Sequence, residues 1–189
     1  MNRKIILASS SPRRIEMMKK HGYSPDIIPA DIDETLPPGI SAKDAVMFLA
    51  LKKALAVEKD SEKGSIIIAA DTVVFKDEIL GKPQNREDAF SMISKIKNTG
   101  HQVVTGAAIL TAKEPFRTVL CDVTEVFCKD LTDEEINAYL DTDEPYDKAG
   151  AYAIQGIFSK YIDRFCGSYN TVVGFPWEKI EPVLLTLLQ

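Results

Sequence analysis

Lys4-Ile5-Ile6-Leu7-Ala8-Ser9-Ser10-Ser11-Pro12-Arg13-Arg14 is the stretch whose reading decides the fold. The apolar run over residues 4–8 reads as a strand, and the chain then switches at once to the chemistry that starts a helix. Ser11 is placed to cap that helix, and Pro12 suits its first turn, where a backbone N–H would have lacked a partner. Gly22 closes the helix predicted over residues 11–21, and residues 24–29 return to a strand.

Outward from this unit, a loop over residues 31–40 holds Pro37-Pro38-Gly39 and leads to a long helix over 41–59. Residues 65–75 read as a strand, with a hairpin at Lys76-Asp77-Glu78. Asn85 caps a helix running to about residue 97, and two long strands follow at 102–111 and 117–129. Thr132-Asp133-Glu134-Glu135 is a capping box for a helix that reaches residue 140. Pro176 opens a last helix ending near residue 188. With no repeat and no low-complexity linker, residues 1–189 read as a single domain. The element order predicts an α/β protein, a mixed twisted sheet with flanking helices, split into two lobes. In such sheets ligands sit beyond the carboxyl ends of the strands.

Composition excludes several classes. A chain of 189 residues, 45% hydrophobic and 27% charged, is an ordinary globular protein that buries roughly 70% of its unfolded surface. A net charge of -5 argues against a nucleic-acid polymer as partner, which needs a field of the opposite sign. Cys121, Cys128 and Cys166 form no CxxC pair, and only two histidines accompany them, so a structural zinc site is not expected. The three thiols read as reduced, with Cys121 and Cys128 on opposite faces of one strand. Near the start, only Ile5-Ile6-Leu7-Ala8 is apolar, too short for a signal segment or a membrane span. A cytoplasmic location without membrane contact is the expectation.

Local chemistry then stands out against this background. Arg13 and Arg14 at a helix N-terminus oppose the helix macrodipole by about 0.3–1 kcal/mol each, a cost that a bound anion reverses. Ser9, Ser10 and Ser11, free backbone N–H groups and two guanidinium groups form a phosphate-binding pattern, beside the plainer reading of a well-capped helix. In Ile66-Ile67-Ile68-Ala69-Ala70-Asp71-Thr72-Val73-Val74-Phe75, Asp71 interrupts an apolar run that reads as buried on both faces. An isolated charge there is expensive, so a metal ion or catalytic partner explains it better than a turn does. Asp31-Ile32-Asp33-Glu34 supplies further hard oxygen ligands suited to magnesium or manganese, or is simply a solvated loop. Helical projection sets Lys53 among Ala42, Val46, Leu49 and Ala56, while Phe48, Leu51 and Leu55 make a second apolar side. Such a lysine either snorkels or points into an internal cleft. Lys82, in Gly81-Lys82-Pro83, follows the hairpin beyond Asp71.

Taken in order, Leu7-Ala8-Ser9-Ser10-Ser11-Pro12-Arg13-Arg14, Asp33-Glu34, Ala69-Ala70-Asp71-Thr72, Gly81-Lys82-Pro83, Asp147-Lys148-Ala149-Gly150-Ala151-Tyr152 and Tyr169-Asn170-Thr171-Val172-Val173-Gly174-Phe175-Pro176 resemble the Maf family of nucleotide pyrophosphatases. The resemblance covers nearly the whole chain. It implies a homodimeric α/β fold similar to the inosine triphosphate pyrophosphatases, with a cleft between two lobes, and metal-dependent release of pyrophosphate. Residues matching Arg13, Thr72 and Gln155 mark the branch that prefers dTTP and UTP. The family is also associated with inhibition of septum formation.

On this resemblance the expected substrate is a pyrimidine nucleoside triphosphate. Asp71 acts as general base or orients a metal-bound water, Glu34 and Asp71 hold the metal, and water attacks the α-phosphorus. Ser9, Arg13, Lys53 and Lys82 clamp the triphosphate, with Lys82 counted beside Asp71 as catalytic. Thr72 and Gln155 read the base through its carbonyl and N–H edges. Two alternatives use the same residues: another phosphohydrolase or nucleotidyltransferase, and a non-catalytic nucleotide-binding regulator of septum formation. The buried carboxylate disfavours the regulator, since a pure binder of polyphosphate has no use for Asp71.

Overall fold

The computed structural model describes residues 3–189. Strand β1 (Ile5–Leu7) leads into α1 (Pro12–Lys20), followed by β2 (Asp26–Ile27), α2 (Ala42–Glu58), β3 (Ile66–Lys76) and β4 (Glu78–Leu80). Then come α3 (Arg86–Ile96), β5 (Gly100–Thr111), β6 (Arg117–Cys128), α4 (Asp133–Leu140), β7 (Ile162–Cys166), α5 (Tyr169–Val173) and α6 (Trp177–Leu188). Short 3-10 segments at Glu144–Asp147, Ala149–Ala151 and Ile157–Tyr161 lie between α4 and β7.

The strands form one seven-stranded sheet in the order β2-β1-β3-β5-β6-β7, with β4 paired to β3 off that path. β1 runs parallel to β2 and β3, whereas β3 with β4 and β6 with β7 are antiparallel. The mixed sheet with flanking helices expected from the sequence is therefore the one observed. The strand predicted over residues 24–29 shrinks to Asp26–Ile27, an exposed edge. Pro25 and Pro29 flank it, and proline cannot donate to a ladder. The hairpin at residues 76–78 forms with Lys76 opposite Glu78 and Asp77 at φ 61°.

Of the caps read from the sequence, Asn85 Oδ1 accepts from Asp88 N at 2.8 Å and Thr132 with Glu135 closes its capping box. Ser41, read as the first helical residue, is instead a cap whose Oγ accepts from Asp44 N at 3.1 Å. Ser11 occupies the N-cap position of α1 but makes no side-chain cap; its own N–H instead donates to Ser9 Oγ at 3.2 Å. Ser9, rather than Ser11, organises this serine cluster.

The chain divides into two compact units. One takes residues up to Asp71, Thr105–Asp122 and Gly174–Gln189; the other takes Thr72–Val104 and Val123–Val173. In the first, one sheet face is set by period-two alternation: Ile6 and Ala8 from the β1 end, Ile67 and Ala69 of β3, and Ala108, Leu110 and Ala112 along and just beyond β5. Ala50, Ala54 and Val57 of α2 pack onto it. The floor is mostly alanine, so the helix settles close to the sheet. At Gly106 the approach is closest, because a Cβ there would lie 2.6 Å from the Val46 carbonyl carbon. Of the second apolar side predicted for α2, Phe48 and Leu55 are exposed, whereas Leu51 is half-buried against the same cluster. The buried stripe is the one whose small residues admit close packing.

The other unit has an aromatic core. The Phe158 ring lies within 5.0–5.5 Å, centroid to centroid, of Tyr139, Tyr152 and Tyr161. His101, 3% exposed, shares a 2.7 Å hydrogen bond between Nε2 and the Tyr152 hydroxyl. Burial, with a smaller contribution from the Lys76 charge, pushes the His101 pKa down to about 4. All three cysteines are free, Cys128 buried and Cys166 exposed. Among the described residues no helix is long and apolar enough to cross a membrane.

Two outcomes follow. Gly106→Ala forces Cβ into helix backbone that cannot swing aside, and should destabilise the protein by about 1–3 kcal/mol in urea denaturation. His101 remains neutral in the folded state down to about pH 4, whereas in the unfolded chain it protonates near its ordinary value. Its contribution to stability is therefore present above pH 6.5 and is lost as pH falls towards 4, about 2 kcal/mol between pH 7 and pH 5. His101→Gln should flatten that part of the stability profile.

Candidate active site

Two periodicities bring the site together. Along β3, Ile67, Ala69 and Asp71 are two residues apart and share the face that meets α2. Along α2, Lys53 lies three residues beyond Ala50 and four before Val57, within the stripe that meets β3. The charged pair is thus set into an apolar contact layer. Lys53 Nζ lies 2.6 Å from Asp71 Oδ1 and 2.7 Å from Glu34 Oε1. The Lys53 and Asp71 side chains are only 14% and 12% exposed, against 52% for Glu34. Lys53 therefore does not snorkel; its ammonium holds two carboxylates.

Glu34 comes from the loop after β2, and the neighbouring residues explain its placement. Asp33 accepts from the Thr35 hydroxyl at 2.6 Å and the Thr35 N–H at 2.9 Å, which holds its carboxyl below the usual range. Lys52 donates to the Asp33 carbonyl. Asp33 is thus a turn residue, and Glu34 alone of this loop reaches Lys53.

Arg14 behaves differently from the expectation that both arginines await an anion. Its Nε donates to the Gly174 carbonyl at 2.8 Å, and its Nη1 to the Ala70 carbonyl at 2.8 Å and to Ser9 Oγ at 3.3 Å. Burial lowers its pKa, and the nearby Asp71 charge opposes that shift. Carbonyl dipoles, not only an anion, therefore offset this cation at the start of α1. Ser9 is buried, at the same end of α1, and Arg13 is half-buried in its first turn. The sequence signal for Arg14 was the same one that marked Arg13, a charge opposing the helix dipole; it could not tell which acceptor answers it.

A divalent cation was expected at Glu34 and Asp71. These two carboxylates converge on one ammonium, so they can share a cation between them. Among the described residues no three His, Cys, Asp or Glu side chains gather into a metal site. Two carboxylates nevertheless fit magnesium, which takes the rest of its shell from water and substrate phosphates.

The remaining candidates belong to the other unit. Thr72 follows Asp71 on β3 and is half-buried; Lys82 and Gln155 are exposed, in a loop and a turn respectively. The Lys82 loop is anchored where the Gly150 N–H donates to the Gly81 carbonyl at 2.9 Å. Gly150 sits at φ 66°, and a Cβ there would lie 2.7 Å from Val74 Cγ2. Beside Gln155, the Glu144 carboxylate accepts from the backbone N–H groups of Ile157 at 2.6 Å and Phe158 at 3.1 Å. Nothing in the sequence around Glu144 marked it for this turn.

A family model described as Maf-like protein matches residues 4–187. The dTTP/UTP pyrophosphatase of Caldicellulosiruptor saccharolyticus is 44% identical over 191 residues, spanning 98% of this chain and 95% of that protein. The dTTP/UTP pyrophosphatase of Desulforamulus reducens is 45% identical, spanning 96% and 95%. Among solved structures, a HAM1 protein from Coxiella burnetii aligns over 97% of this chain and 99% of its own with a TM-score of 0.55, at 14% identity. The Staphylococcus aureus Ham1 protein gives 0.53 with the same coverage and identity. These structural likenesses concern the fold alone.

The ion pairs differ in worth. Lys53→Met takes the ion-pair partner from the buried Asp71 and should cost on the order of 3 kcal/mol. Glu34→Gln, at an exposed carboxylate, should cost less than about 1 kcal/mol. Urea denaturation of both variants measures the difference.

Proposed function

This chain belongs to the Maf-like family, and on that footing we propose that it hydrolyses dTTP and UTP to their monophosphates with release of pyrophosphate. The observation that carries the proposal is Asp71, a carboxylate set into the apolar contact of β3 and α2 and held by Lys53. A protein that only bound polyphosphate would gain nothing from such a group, which repels phosphate and is costly to bury.

Lys53 holds Asp71 through Oδ1, and in this reading the carboxylate takes a proton from the attacking water. The water oxygen forms its bond to the α-phosphorus as the bond from that phosphorus to the bridging oxygen breaks. The proton passes to Asp71 and the electron pair leaves with pyrophosphate. Ser9 and Arg13, with the N–H groups that begin α1, bind phosphate oxygens at the positive end of the helix. Positioning and charge supply most of the catalysis in such chemistry.

The proposal includes magnesium or manganese held by Glu34 and Asp71. Such an ion neutralises phosphate charge and lowers the pKa of a bound water. By family resemblance, Lys53 and Lys82 are phosphate-binding lysines, Lys82 with a catalytic part, and Thr72 and Gln155 read the pyrimidine. The same resemblance supports a homodimer, which sedimentation of the purified protein checks, and the unpaired cysteines support a cytoplasmic location.

A panel of nucleoside triphosphates, incubated with purified protein and magnesium or manganese and assayed separately for pyrophosphate and orthophosphate, tests the reading. Pyrophosphate from dTTP and UTP is expected, with Asp71→Asn lowering kcat at least about a thousandfold while the fold is kept. Orthophosphate release would point to another phosphohydrolase. Folded protein that turns over no triphosphate would point to a binding regulator.

A further inference from the structure

Arg14 joins three separate segments of the first unit through one side chain. Nε reaches the Gly174 carbonyl ahead of α6, while Nη1 reaches the Ala70 carbonyl on β3 and Ser9 Oγ after β1. An Nη group carries two hydrogens, so these two bonds use both of Nη1. Two of the three acceptors adjoin the groups proposed to act: Ala70 precedes Asp71 in the chain, and Ser9 is the buried serine at the start of α1.

The effect on Ser9 can be read from its bonding. A hydroxyl has two lone pairs and one proton. Arg14 Nη1, at 3.3 Å, takes one lone pair, and the Ser11 N–H, at 3.2 Å, takes the other. The Ser9 proton must then point away from both donors. On β3, the bond to the Ala70 carbonyl fixes the peptide plane that leads into Asp71. A guanidinium suits this task because its planar fork holds several acceptors at fixed angles, which a lysine ammonium on a flexible stem does not.

We propose that Arg14 is a positioning residue for the reaction, aligning the Ser9 hydroxyl as a donor and the Asp71 backbone without touching the substrate. This rests on the pyrophosphatase reading above. Its signature differs from that of an arginine that binds phosphate directly. A phosphate-binding arginine supports ground-state binding, so its loss falls mainly on KM, and lysine, keeping the charge, restores much of it. A positioning fork supports the geometry of the reacting groups, where displacement by about 1 Å costs on the order of a hundredfold in rate.

The test is steady-state dTTP hydrolysis by wild type, Arg14→Lys, Arg14→Ala, Ser9→Ala and the Ser9→Ala/Arg14→Ala double variant, with thermal melts on each. Expected are a fall in kcat of about a hundredfold in both Arg14 variants and a KM within about threefold of wild type. Added guanidinium ion should recover about tenfold of kcat in Arg14→Ala. The double variant should be no more than about threefold worse than Arg14→Ala, since both remove one coupled arrangement. A loss confined to KM and restored by Arg14→Lys would overturn the proposal, as would losses that multiply in the double variant or wild-type kinetics in either Arg14 variant. Arg14 variants that are unfolded at the assay temperature would assign the residue to structure alone and also overturn it. Wild type that releases no pyrophosphate ends the functional reading together with this proposal. An active wild type with unaffected Arg14 variants ends the proposal alone.

Discussion

Lys53 and Asp71 meet at 2.6 Å inside a contact layer otherwise built of alanine, isoleucine, leucine and valine. Two charges removed from water cost more than their attraction returns unless geometry is good and further partners satisfy them. Here the ammonium has a second carboxylate, Glu34, whose greater exposure leaves it better hydrated. Replacing the pair by apolar residues of similar volume would be neutral or stabilising on general grounds. Its presence is therefore better explained by chemistry than by stability.

The helix and sheet that carry the pair have to lie close, and small residues make this possible. Ala50 and Ala54 on α2 face Ala69 and Ala108 on the sheet, and Gly106 removes the one Cβ that would push the helix backbone away. Larger side chains along this seam would bury more apolar area, yet they would move Lys53 out of reach of Asp71. Packing and function thus constrain the same positions, and the alanine-rich seam sets the distance between the charges.

The start of α1 shows a similar double use. A helix N-terminus with exposed N–H groups is an anion site by geometry, but two adjacent arginines there divide the work. Arg14 turns inward to carbonyl oxygens of β3 and of the segment before α6, whereas Arg13 remains half-buried in the first turn. The inward cation ties down the serine that the proposed chemistry uses. Glu144 plays a comparable part in the other unit, where backbone N–H groups of Ile157 and Phe158 fasten the turn beside Gln155.

Periodicity and capping chemistry in the sequence placed the strand of Asp71, the helix of Lys53, the side-chain caps at Asn85 and Thr132 and the mixed sheet, because these depend on residues a few positions apart. The expense of burying Asp71 was likewise legible, since apolar neighbours on both sides left little else for the strand to be. The partner of Asp71 was not legible. Lys53 is separated from it by 18 positions and Glu34 by more, and only the close seat of α2 on β3 brings the three together. Nor could the chain reveal that Arg14 is occupied by carbonyl oxygens at Ala70 and Gly174, 56 and 160 positions away. Charge type and local spacing are properties of the sequence, while the choice of which opposite group answers each charge is made by the packing of distant segments.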